Sequence, residues 1–353
     1  MSLPTQWQGM IQAMLQPAFY LLLFILSFFA TSAWVRGYVP ERLKIEWCET
    51  VQEDAEVLFL GSSHVFRQFD PSLFDELRRA KDKGLRSYNL GTVGMEFAEE
   101  LYLLRRILLE NPPNLNWIVV EAQPFRVGFR NDKDFGKRRI GWHDYATTKM
   151  LLSALVRSDL PTDQRWELAL RHVEHWWRRT INFARGMNAW DALGKDFEAM
   201  FPDTESLGAN QDGYLPLELS TASQLNRGMR KGFLKAPGIM LEGRKVLLQA
   251  GDGGAPEKDL LAAVRAMEKL AAEKDITIVW WLHPNFERLS GWRQMERQGD
   301  IEHLVAHDDP QVFPEFYEVE WRFDAFHLNR QGAELLTRSF AKDFVALQKG
   351  VQE

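Results

Sequence analysis

The chain is short of the residues that staple a fold and of the charge pattern that grips nucleic acid. Its 353 residues include one cysteine, Cys48, which excludes an intrachain disulfide, a cysteine-rich zinc centre and a CxxC redox pair. Lys and Arg number 43 against 49 Asp and Glu, a formal charge of -6. No long basic run offsets that surplus, so nucleic acid is not expected as a partner. Internal repeats and low-complexity tracts are also lacking. What remains is a chain with 45% hydrophobic residues, enough to bury a core as one domain with an insertion or as two domains.

Charge is missing locally as well. Pro17 to Val35 reads PAFYLLLFILSFFATSAWV, without one charged side chain, and a helix of that length crosses about 30 Å of hydrocarbon. A cleaved signal peptide has a shorter apolar stretch, preceding Lys or Arg and a sharper cleavage site than Ala30-Thr31-Ser32-Ala33. The expected organisation is therefore an N-terminal segment over 1–16, a single-pass anchor over 17–36, a stem over 37–55 and one domain from 56 to 353. Arg36, Arg42 and Lys44 follow the span, and the positive-inside rule taken alone puts them in the cytoplasm.

Beyond the stem, short apolar runs alternate with helical periodicity. Val57-Leu58-Phe59-Leu60 reads as a buried strand ending at Gly61-Ser62-Ser63. Asp70-Pro71-Ser72 starts a helix carrying Leu73, Phe74, Leu77 and Ala80, which stops at Lys83-Gly84. Ser87 to Leu90 is a second strand. Phe97, Leu101, Leu104 and Leu108 mark a helix that ends at Asn111-Pro112-Pro113, and Trp117 to Val120 is a third strand. This β-α-β-α-β rhythm predicts an α/β fold, a three-layer α/β/α arrangement with a doubly wound parallel sheet. The rhythm is lost over about 126–256, read as a helical insertion rich in Arg and Trp. It resumes with a helix through Leu260, Val264, Met267 and Leu270, a strand from Ile276 to Leu282, and a last helix over about 330–347.

Three separated segments carry chemistry. A serine hydroxyl needs a histidine base, a carboxylate to orient that base, and donors for the oxyanion formed on attack. Gly61-Ser62-Ser63-His64 offers Ser63 where a strand breaks into a turn, at the carboxyl edge of the sheet. Asn89-Leu90-Gly91-Thr92-Val93-Gly94 offers glycine backbone able to approach a substrate oxygen. Asp324-Ala325-Phe326-His327 precedes the final helix. His283, followed by Pro284, ends a strand on the same side and is a candidate for substrate contact or for packing the turn. His172 and His175 lie three apart, a spacing read as a polar helix face rather than a metal site. His64 is read as positional. Trp166, Trp176, Trp177 and Trp190, with Arg165, Arg171, Arg178, Arg179 and Arg185, give the insertion an aromatic and basic character open to an anionic polymer or lipid head groups.

In order and context these segments resemble the SGNH (GDSL-like) hydrolases. The closer likeness is to the membrane-anchored branch that includes the teichoic-acid D-alanine transfer protein and the alginate acetylation proteins. The resemblance implies Ser63 as nucleophile, His327 as base and Asp324 as its orienting acid. Gly94 and the Ser63 amide become oxyanion donors, with Gly91 as the alternative glycine. Where the family has Gly-x-Asn after the third strand, this chain has Glu121-Ala122-Gln123. Gln123 then stands in as a third oxyanion donor, and Glu121 as a strand-end carboxylate or an added site residue. The implied activity is O-acylation, notably O-acetylation, of a cell-surface or secreted polysaccharide, with no cofactor and no metal. The domain would sit outside the inner membrane beside a membrane-bound acyltransferase. A membrane-tethered esterase and a non-catalytic polysaccharide-binding or assembly subunit are the alternatives.

Overall fold

Alternate residues of the strands feed two separate apolar layers, one on each face of a single parallel sheet. In the computed structural model, residues 5–38, 44, 47, 51, 54–79, 86–129, 137–183, 207–220, 223–251 and 254–352 are described. Cys48, Arg42, Lys83-Gly84, Arg185 and Trp190 lie outside them. The strands are β1 (Val57–Leu60), β2 (Ser87–Asn89), β3 (Trp117–Glu121), β4 (Thr277–Leu282) and β5 (Leu304–Ala306), in the order β2-β1-β3-β4-β5. All neighbours pair in parallel. β1 is buried along its whole length, as a central parallel strand covered on both faces must be.

Twelve α-helices are described. The long apolar α1 (Thr5–Tyr38) comes first, then α2 (Ser63–Gln68) and α3 (Pro71–Arg79) between β1 and β2. α4 (Phe97–Glu110) joins β2 to β3 and stops at Asn111, whose φ of 52° gives the left-handed turn that ends a helix. Between β3 and β4 lie α5 (Lys137–Trp142), α6 (Tyr145–Arg157), α7 (Thr162–Thr180), α8 (Ser223–Lys235), α9 (Gly238–Gln249) and the crossover α10 (Lys258–Ala272). α11 (Ser290–Gln298) precedes β5, and α12 (Arg330–Gln352) closes the described chain.

Leu58, Leu60, Ile118, Val120, Ile278 and Trp280 face α4, α10 and α11 in one core. Their neighbours Val57, Phe59, Val119, Val279 and Trp281 face α2, α3 and α12 in the other. Burying a Phe or Leu on either layer is worth about 1.5–3 kcal/mol, so the alternation fixes the register of every strand.

One stretch of α1, Leu15–Trp34, is long and apolar enough to cross a membrane, a property it shares with signal sequences. Asn182, just past α7, contacts it, donating through Nδ2 to Ser32 O at 3.0 Å and Ser32 Oγ at 2.5 Å.

Three readings of the insertion and stem change in the structure. His172 and His175 do not form a solvated face: both are buried, with His172 Nδ1 2.9 Å from His143 Nε2 and Phe129 packed against all three rings. Burial holds each below the ordinary imidazole pKa, so they serve as neutral packing between α5 and α7. The basic face of α7 is largely paired, Arg171 with Glu167, Arg178 with Glu174, and Arg179 with the Tyr102 hydroxyl. Lys44, counted above as a flanking charge, donates to the carbonyls of Asn89, Gly91 and Gly213.

Candidate functional site

In the strand order, β1 has β2 on one side and β3 on the other. The chain therefore reverses its winding direction at β1 and β3, and open α/β sheets leave a crevice beyond the carboxyl ends of such a pair. Ser63 follows β1 and Glu121 ends β3, so the two straddle that crevice. A cavity of about 340 Å³ occupies it, a size suited to a small organic ligand, and Ser63, His64, Gly94, Glu121, His283 and His327 are among its lining residues.

The turn after β1 is set by close packing. A Cβ on Gly61 would stand 2.4 Å from Val65 Cγ2 and 2.7 Å from Glu121 Cβ, so only glycine lets the strand end this near β3. Ser62 caps α2, its Oγ accepting from the His64 amide at 3.3 Å. Ser63 is then the first helical residue, whose amide has no intrahelical partner.

His327 arrives from the far end of the chain. Its Nε2 lies 2.9 Å from Ser63 Oγ across a sequence separation of 264 residues. Its Nδ1 is 3.1 Å from both carboxylate oxygens of Asp324. A carboxylate only accepts, so Nδ1 carries the proton and Nε2 is left to accept from the serine hydroxyl. Asp324 Oδ1 also accepts from the amides of Phe326 at 2.7 Å and His327 at 2.8 Å, closing a tight turn. Burial would raise the Asp324 pKa, but these bonds outweigh it and hold the carboxyl below its ordinary value. Burial likewise lowers His327, partly offset by Asp324, so the imidazole is neutral and basic near pH 7.

The loop carrying both residues is pinned from behind. Arg322 is fully buried and donates to the carbonyls of Phe316, Ala325 and Pro284. Arg322 and Leu328 also form a bridge across the turn. The loop is thereby fastened to the segment after β4, which places the imidazole over the sheet edge.

A second carboxylate and imidazole stand on the other side of Ser63. Glu121, buried at the end of β3, accepts at Oε2 from the Ser62 amide at 2.5 Å. Its Oε1 accepts from Ser62 Oγ at 3.1 Å and faces His64 Nδ1 at 2.9 Å. The ring of His283 stacks on His64, and its Nδ1 lies 3.2 Å from the same Oε1. Burial drives His283 well below the ordinary imidazole pKa, so it is neutral. Burial alone would raise Glu121, but the neighbouring His64 and His283 rings and the bonds from His64 and the Ser62 amide prevail and lower it. The donor atoms of His64, Glu121 and His283 lie within 4.8 Å of one another, close enough to be weighed as a metal site. The two rings are, however, only 18° from parallel, so their in-plane lone pairs run side by side rather than converging. That geometry lets Glu121 receive the His64 N–H but does not converge on a cation.

The candidate oxyanion donors separate. Gly94 lines the cavity with φ +65° and its amide makes no hydrogen bond among the described residues. Gly91 is not among the lining residues; its amide donates to Asn89 Oδ1 at 2.9 Å, and its Cα packs against the Phe66 backbone. Gln123 lines the cavity, yet its Nε2 donates to Glu100 Oε2 at 2.8 Å. Glu100 is buried, and burial beside Glu121 raises its pKa well above the ordinary carboxyl value.

Three roles escaped the sequence. The His64–Glu121 contact was signalled only by a histidine after Ser63 and an acid ending a neighbouring strand. Arg322 and Glu100 gave no local signal. Searches against protein-family models and against curated proteins found no match for this chain.

Proposed function

We propose that this chain is a membrane-anchored serine acyltransferase of the SGNH type that moves an acyl group, such as acetyl, onto a polysaccharide hydroxyl. One observation carries the reading: Ser63 Oγ, His327 Nε2 and the Asp324 carboxylate form an unbroken line of contacts at the rim of the cavity. In the first half-reaction Ser63 Oγ attacks the donor carbonyl carbon while His327 Nε2 takes its proton. The amides of Ser63 and Gly94 serve in this mechanism as donors to the developing oxyanion, and each such donor is worth about 3 kcal/mol. The tetrahedral centre collapses, His327 returns the proton to the leaving group, and Ser63 is left acylated. A hydroxyl then attacks the ester, giving its proton to His327, which passes it to Ser63 Oγ as that bond breaks.

Transfer is preferred to hydrolysis because the apolar helix would tether the site near an envelope acceptor, as in the branch that the motifs resemble. We place the domain outside the inner membrane, beside a membrane-bound acyltransferase that supplies the acyl group. The engagement of Lys44 with three carbonyls lessens the weight of the flanking positive charge against that orientation.

The test is incubation of the purified chain with an activated acyl ester, followed by intact mass. A one-acyl adduct in the wild type that is lost in Ser63→Ala supports the reading; absence of any adduct favours a polysaccharide-binding or assembly subunit. Release of the acyl group to water alone, whatever glycan is supplied, favours an esterase. A carboxyl-terminal reporter that works only in the cytoplasm should stay silent; activity there overturns the placement.

A further inference from the structure

Ser63 is flanked by two imidazoles, yet the acyl-transfer cycle uses one. His327 contacts the nucleophile, while His64 does not, although its ring lies only 5.4 Å from that of His327 and 26° from parallel to it. His64 is built as carefully as the first base. Its Nδ1 faces Glu121 Oε1 at 2.9 Å, and that oxygen belongs to a carboxylate fixed by the Ser62 amide and hydroxyl. Nδ1 therefore carries a proton, and in the neutral ring the Nε2 lone pair is an acceptor. His283 stacks 3.8 Å behind the ring and holds it in plane. The side chain is 22% exposed and lines the cavity, and Nε2 makes no hydrogen bond among the described residues and is not enclosed. An oriented acceptor nitrogen thus opens into the cavity beside the reacting serine.

We propose that His64 Nε2 seats a second hydroxyl of the acceptor, so that the site selects a vicinal diol, as on a sugar ring, over a monohydric alcohol. This rests on the reading of Ser63 as the acylated nucleophile. An attacking hydroxyl has one proton, which it gives to His327; it has none left for His64. Neighbouring hydroxyls on a sugar ring stand about one hydrogen-bond length apart. One can face His327 and attack while the other donates to His64, spanning two near-parallel rings a few ångströms apart. Phe326, 57% exposed at the cavity wall next to His327, offers the apolar face on which a sugar ring packs. Glu121 and His283 act through His64 and are positioning residues.

The experiment acylates the full chain in detergent with an activated acetyl ester, removes excess ester, and follows loss of the adduct by intact mass. The acceptors compared are cis-cyclohexane-1,2-diol and cyclohexanol at equal concentration. The wild type should transfer to the diol about tenfold faster, the size of one well-made hydrogen bond. In His64→Gln and Glu121→Gln the ratio of the two rates should fall toward one. A wild-type ratio near one overturns the proposal without any variant, as does a ratio that survives both substitutions. Loss of the wild-type preference after chelator treatment would mean that the three side chains hold a metal, and also overturns it. Failure of the wild type to acylate at all is a different result and removes the reading of Ser63 instead.

Discussion

The imidazoles of His64 and His283 stack at 3.8 Å, and His64 Nδ1 meets Glu121 Oε1 at 2.9 Å. The carboxylate bonds Ser62, the helix cap one residue before Ser63, so the two flanks of Ser63 differ. On one flank an imidazole touches the serine; on the other it is withheld from it.

Asp324→Asn keeps an oxygen for the Phe326 and His327 amides but can no longer fix the proton on His327 Nδ1. Turnover should fall by about 10⁴-fold with the fold intact, an effect of the wrong tautomer. Acylation rates with circular dichroism on the same sample check both halves; a loss under tenfold would remove Asp324 from the mechanism.

In the proposed mechanism the base form of His327 is the active one. Burial lowers its pKa in the folded chain, so acylation should be flat through neutral pH and decline only below the ordinary imidazole value near 6.5. Asp324 partly raises that pKa; its removal should move the acid limb lower still. A pH–rate profile of the burst measures the limb, and a midpoint above the ordinary value contradicts the assignment.

Glu100 has a raised pKa in the folded chain because it is buried beside Glu121. A group so raised stabilises the fold below its unfolded pKa, near 4.5, and that contribution is lost as pH rises through the folded value. Glu100→Gln retains an acceptor for Gln123 and removes the titration. Its denaturation midpoint should exceed that of the wild type at pH 8 and the difference should shrink toward pH 5. An equal midpoint at both values would mean that Glu100 is not held protonated.

Gly91 and Gly94 should respond differently to alanine. A Cβ at Gly91 would meet the Phe66 amide nitrogen at 2.3 Å, whereas at Gly94 nothing lies within 4 Å. Gly94→Ala costs only the left-handed backbone, about 1–2 kcal/mol, and keeps the amide, so it should fold and still acylate. Gly91→Ala should be recovered poorly or melt well below the wild type. Thermal melts of the two variants decide the comparison.

Arg322→Met removes the donors to three carbonyls behind the Asp324–His327 turn. Each buried acceptor left bare costs about 1–3 kcal/mol, so both stability and acylation rate should drop. An unchanged burst rate would show that the turn holds its shape without this anchor.

The strands through β3, the stop at Asn111 and the order of the serine, glycine and Asp-x-x-His segments could be read locally. Helical spacing and apolar runs encode which face is buried, whatever the face meets. β5, three residues from Leu304 to Ala306, is too short to carry such a period, and His172 and His175 read as polar because nothing nearby in sequence announces His143 and Phe129. The tertiary structure alone decided partners: that Gln123 turns to Glu100, that Glu121 reaches His64 across the β1–β3 pair, and that Arg322 ties the last loop to the one after β4. These depend on strand order and register, which long-range packing fixes, so composition and periodicity set the layers while only the assembled sheet edge set the chemistry.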